Sequence, residues 1–134
     1  MKFYNLMIRI VLIIGFSAGV YDHATLILFK GLFSARPEVH ILFNIFWDSL
    51  LIFDLLTILL LIFHYRIGVF LGFVIVFFDA IINGSVAILD FYYRGNFVMF
   101  GLFTQIPFLI FISFAFYRIY IDSKKERAQQ ITIG

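Results

Sequence analysis

The chain has no cysteine. Disulfides, thiolate metal centres, thiol nucleophiles and quinone–disulfide chemistry are therefore excluded. Charge is scarce too. Asp, Glu, Lys and Arg make up 13% of the residues, about half the share found in soluble domains. There are two glutamates, Glu38 and Glu126, and two prolines. No Gly-rich phosphate loop, no G-x-S-x-G elbow and no H-x-x-x-H or E-x-x-H pair occurs. The net charge of +2 comes from scattered basic residues, densest at Lys124, Lys125 and Arg127. Such scatter suits membrane topology better than nucleic acid, and no nucleic-acid partner is expected.

What the chain has in abundance is apolar surface. Hydrophobic residues reach 63%, with 20 phenylalanines among 134 residues. A soluble fold of this size buries only about two-thirds of its chain surface, so much of this would face water. A lipid surround removes the problem. Runs of roughly 18 or more apolar residues read as spanning helices. Four are expected, at 6–29, 41–63, 67–89 and 97–121, with 122–134 as a cytoplasmic tail. The first is the least clean, because it holds Arg9, Asp22 and His23. The 12 residues between Arg9 and Asp22 cover about 18 Å of helix, short of a hydrocarbon core of about 30 Å. Arg9 then snorkels at one face, while Asp22 and His23 sit in the other half of the membrane or at its edge. Ser17-Ala18-Gly19 also offers a signal-peptide cleavage point, but the apolar pattern resumes at Ala24–Phe29. Cleavage would leave three spans.

His64-Tyr65-Arg66 reads as a tight turn and Phe91–Asn96 as a short loop. Lys30–His40 is longer, broken by Gly31 and Arg36-Pro37, with room for a short interfacial helix before it. Placing both termini in the cytoplasm puts seven basic residues inside (Lys2, Arg9, Arg66, Arg118, Lys124, Lys125, Arg127) and three outside (Lys30, Arg36, Arg94). The expected fold is thus all-α: one membrane domain, an antiparallel four-helix transmembrane bundle with cytoplasmic termini. The expected location is the bacterial plasma (inner) membrane.

Polar residues within the spans fall on stripes. At about 100° per residue, Asp79, Asn83, Asp90, Gly72 and Gly68 share an arc roughly 60° wide. Gly68 and Gly72 form a G-x-x-x-G step suited to close helix packing. Asn44, Asp48, His40, Trp47 and Asp54 share about 120° of the second span, and Asn5, Arg9, Gly19 and His23 about 80° of the first. Charges in lipid cost at least about 2.5–3.5 kcal/mol at mid-span, so such residues face the bundle interior and lean towards function. With termini inside, Asp22, His23, His40, Asn44, Asp48, Asn83, Asp90 and Gln105 lie in the outer half, with Asp54 and Asp79 near the middle. The bundle then resembles a cup, polar towards the outside and sealed by apolar side chains towards the cytoplasm.

Each polar residue has a functional and a structural reading. Asp79 and Asp54 could relay a proton or cation or hold a ligand's amine. Asp79 could equally bond to Asn44, Gln105 or a backbone carbonyl and join helices. Asp48 and Asn44 either line the cup or form an interhelical pair. Asp90 pairs with Arg94 four residues on. His23 and His40, with Asp22 or Asp48, carry metal-ligand atoms, but their spacing matches no metal or haem motif, and no cofactor is expected. Trp47, Tyr92, Tyr93, Tyr117 and Tyr120 serve as membrane anchors or packing.

In span number and buried acids, over most of its length, the chain resembles the small bacterial four-span proteins of the DoxX-like kind. It also resembles the four-span sterol-isomerase-related fold, which buries acids in a ligand cavity. Glu38 and Glu126 both lie outside the spans, so the His and Glu residues of the isomerase-related pattern are not matched and no activity carries over. Two functions are expected. One is a non-enzymatic membrane component binding a small ligand or ion in the cup, in the lipid bilayer with a membrane-protein partner or as a homo-oligomer. The other is a membrane enzyme using Asp/His acid–base chemistry on a lipid-like substrate. A purely structural subunit packed through Gly68 and Gly72 is the third option.

Overall fold

The computed structural model describes residues 3–34, 37, 39–95 and 100–133. Lys2, Arg36, Glu38 and Asn96, and positions 97–99 of the expected fourth span, lie outside the described residues. The chain forms four helices: α1 (Phe3–Lys30), α2 (Ile41–Phe63), α3 (Tyr65–Arg94) and α4 (Phe100–Ile133). All four are long and apolar enough to cross a membrane. Many large apolar side chains stand exposed, among them Leu28, Phe29, Ile52, Phe63 and Ile88, as lipid contact requires.

The boundaries have local causes. Gly31 ends α1 in a left-handed conformation (φ 84°), and its N–H returns to the Ile27 carbonyl at 2.9 Å. No interfacial helix follows among the described residues of the connection. His40 opens α2 by accepting the Leu42 N–H on Nδ1 at 3.3 Å. The turn between α2 and α3 is shorter than expected, being His64 alone. Its N–H donates to Leu60 O at 2.7 Å, and its carbonyl accepts from Ile67 (2.9 Å) and Gly68 (3.0 Å). One residue thus completes the last turn of one helix and starts the next. α3 runs past the expected residue 89 until Gly95, where φ is 67°. The tail expected after Ile121 is instead a continuation of α4, which reaches 34 residues. Between Ile121 and Gly134 there is no Gly or Pro to interrupt it.

Packing is mainly between neighbours in sequence, α1 on α2, α2 on α3 and α3 on α4. Water expulsion does little to join helices in lipid, so close side-chain fit must do so. A stripe on each helix supplies it, and each stripe turns polar toward the same end. On α1 the buried Ile8, Leu12 and Phe16 give way to Gly19 and His23. On α2 Leu61 gives way to Thr57 and Asp54, and on α3 Val69 and Val76 give way to Asp79 and Asn83. On α4 Ala115 and Ile112 give way to Gln105. The apolar members form one core drawn from all four helices, ringed by Phe73, Phe108 and Phe116. A smaller cluster of Trp47, Leu50, Ile75 and Val86 joins α2 to α3 beside the polar segment.

Gly68 and Gly72 are both buried inside the bundle. A Cβ on Gly68 would lie 2.5 Å from the Leu61 nitrogen and 2.8 Å from the Leu60 carbonyl carbon. A Cβ on Gly72 would meet Phe16 at 2.7 Å and Ile112 at 2.9 Å. The G-x-x-x-G step thus serves contacts within this chain.

Candidate functional site

The polar residues form two groups. The first is a chain of side-chain hydrogen bonds across three helices. Trp47 Nε1 on α2 donates to Asn83 Oδ1 on α3 at 3.0 Å. Asn83 Nδ2 donates to Asp79 Oδ1 at 2.7 Å, one helical turn away. Gln105 Nε2 on α4 donates to Asp79 Oδ2 at 2.6 Å. Asp79 therefore has an amide donor on each carboxylate oxygen. Trp47 is a buried interior residue, in its packing role and not at the headgroup belt. Gln105 Oε1 is buried with no partner among the described residues.

The second group lies between α1 and α2. Asp54 is 5% exposed. His23 Nε2 stands 3.9 Å from Asp54 Oδ2, beyond hydrogen-bonding distance. Gly19, one turn before His23, makes the space for this carboxylate. A Cβ there would sit 2.5 Å from Asp54 Oδ2.

The remaining candidates are placed more simply. Asp48 is buried and accepts the Phe33 backbone N–H on Oδ2 at 2.6 Å. Phe33 has φ 58°, a left-handed conformation that costs a non-glycine residue about 1–2 kcal/mol. Asp48 thus pins the connection between α1 and α2 in a conformation it would not adopt alone. Replacing Asp48 with Ala should cost about 1–3 kcal/mol, the penalty for losing a buried acceptor. It should also raise amide exchange at Phe33. Unchanged protection there would show that the carboxylate does not hold the turn.

Asn44 is 2% exposed and has a partner of its own. Asp22 is exposed on the outer side of α1. His40 is exposed and caps α2, so His23 faces Asp54 and does not pair with it. Arg94 Nη1 lies 4.0 Å from Asp90 Oδ1, the spacing expected of that pair. No group of three or more metal-ligating side chains occurs among the described residues.

Sequence reasoning placed Gly19 on the same face as His23 but gave it no task. A small residue one turn from a buried polar one is the signal for such a space. It also missed the partner of Arg9, whose guanidinium lies 5.0 Å from the Tyr65 ring centroid. No family model, no curated protein and no solved structure matches the chain, so the likeness to DoxX-like and sterol-isomerase-related proteins stays one of span number and buried acids.

Proposed function

We propose that this chain is a small multi-pass membrane protein that binds a monovalent cation, the proton included, between His23 and Asp54. In this reading the helices run antiparallel with both termini cytoplasmic, in a bacterial plasma (inner) membrane. Two features support the orientation. With the termini inside, the sequence assigns seven basic residues to the cytoplasmic side and three to the other. Leu61 meets Gly68 at one end of the α2–α3 pair, while Trp47 meets Asn83 further along it. The site then faces outward past the Asp48–Phe33 turn, and the four-helix apolar core seals it from the cytoplasm.

One observation carries the reading: Asp54 is buried within a candidate span, yet its carboxylate faces an imidazole 3.9 Å away and, among the described residues, no amide donor. A charge so placed is costly unless a cation or proton accompanies it. The gap between the two groups suits that guest. The other mid-span acid, Asp79, accepts from two amide donors, which favours a structural role that Asp54 does not share.

Infrared difference spectroscopy on the protein in mild detergent tests this. A carboxylic C=O band should appear on moving from alkaline to acidic buffer, or respond when choline is exchanged for sodium. Asp54→Asn should remove the component of that band due to Asp54, leaving those of the other carboxyl groups, with the melting temperature kept. A band of full intensity in Asp54→Asn sinks the reading.

A further inference from the structure

At the opposite end of the bundle lies a cavity of about 430 Å³. Small-molecule sites begin at roughly 300 Å³, so it is large enough to hold a headgroup-sized ligand. It opens where α1, α3 and α4 leave the spans, between Asn5, Tyr65, Arg66, Asp122, Lys125 and Glu126. Arg66 and Glu126 close one side with a bidentate pair, both distances 2.7 Å. Lys125 and Asp122, three residues apart, line the same space but make no ion pair or hydrogen bond among the described residues. Tyr65, also on the wall, has a buried Oη, and the Arg9 guanidinium that lies over its ring has a buried Nε, neither with a hydrogen-bond partner among the described residues. Among the described residues the wall thus offers a cation and an anion one helical turn apart that are not paired with each other or with another charge.

We propose that this cavity binds the zwitterionic headgroup of a phospholipid carrying a primary amine. The ammonium is placed at Asp122 and the phosphate at Lys125, on the Arg9–Tyr65 side. Three observations converge on that class. Both signs of charge line it, and Asp122 and Lys125 make no ion pair among the described residues. The cavity lies towards the ends of helices long and apolar enough to span a membrane. The neighbouring cations are held at the interface by aromatic rings, Arg9 over Tyr65 at 5.0 Å and Arg118 over Tyr4 at 5.3 Å. An acidic partner for the amine separates this site from the purely basic pockets that take anionic lipids.

Native mass spectrometry of the full chain in mild detergent, with equal amounts of phosphatidylethanolamine, phosphatidylcholine and phosphatidylglycerol, tests the proposal. Phosphatidylethanolamine should be retained about tenfold over phosphatidylcholine, whose quaternary ammonium cannot donate a hydrogen bond to Asp122. Asp122→Asn should erase that preference, and Lys125→Gln should lower retention of all three lipids. Both positions lie towards the C-terminal end of α4, and unchanged melting curves would establish that the variants fold. Equal retention of the three lipids by the unmodified protein overturns the proposal, as does unaltered retention in both variants. Displacement of the lipid by an equal concentration of soluble glycerophosphoethanolamine overturns the lipid assignment, because the acyl chains would then contribute nothing.

Discussion

Adding one methyl group at Gly68 should destabilise the bundle by roughly 3 kcal/mol, the upper end of the usual overpacking penalty. The reason is what the methyl would meet. Its neighbours at 2.5–2.9 Å are backbone atoms of Leu60 and Leu61, not the flexible end of a side chain. Those atoms belong to the last turn of α2, fixed to α3 through His64. Relief therefore requires prising the two helices apart. Gly84→Ala is the control, since a Cβ there meets nothing within 4 Å. It should be neutral or stabilise the helix by up to about 1 kcal/mol. Unfolding by a denaturing detergent, followed by circular dichroism and fluorescence of Trp47, reads both. Equal midpoints for Gly68→Ala and the unmodified chain would refute the tight packing at this step. The result also bears on assembly, because a Gly68 variant that loses a partner would do so by losing its own fold.

The second large effect is expected at Asp79. Asp79→Leu removes the acceptor of two amide groups, Asn83 Nδ2 and Gln105 Nε2. Left unpaired in the interior, each costs roughly 1–2 kcal/mol, so the sum is roughly 2–4 kcal/mol. The loss should extend to Trp47, because Asn83 would be free to turn away from its indole N–H. A shift of the Trp47 emission in the folded variant reports that release. Asp54→Asn, by contrast, breaks no hydrogen bond of the described network and should leave stability near that of the unmodified chain. The two acids thus differ in what the fold asks of them: Asp79 holds two amide donors, and Asp54 holds none among the described residues. Equal stability of Asp79→Leu and Asp54→Asn would remove the distinction.

Hydropathy located the helices because lipid imposes length and composition on any span. The second span was read to its ends, where His40 and His64 stand at either side of an unbroken apolar run. Hydropathy did not locate the ends of α3 and α4. A helix stops where its backbone is capped or broken, not where the membrane ends. Tyr92 and Tyr93 look like loop residues at the headgroup belt, yet they stay helical until Gly95. Angular arithmetic showed which side chains share a face. It could not show which faces meet, since that depends on the rotation and rise of two helices at once. Hence His23 was set beside His40 in the sequence, whereas the fold sets it against Asp54. For Asp79 the sequence leaves Asn44, Gln105 and a backbone carbonyl open as partners, and only the packed helices select Gln105, with Asn83 beside it.

The single-residue joint at His64 also limits how the bundle can move. With no slack between them, α2 and α3 cannot slide past each other along the membrane normal. They can only scissor or roll about a pivot at that end. Asp54 and Asp79 lie well along these two arms, so a change in the distance between them has to come from such an opening angle, and the far ends of the arms must sweep further still. A piston-like stroke of α2 against α3 is thereby excluded.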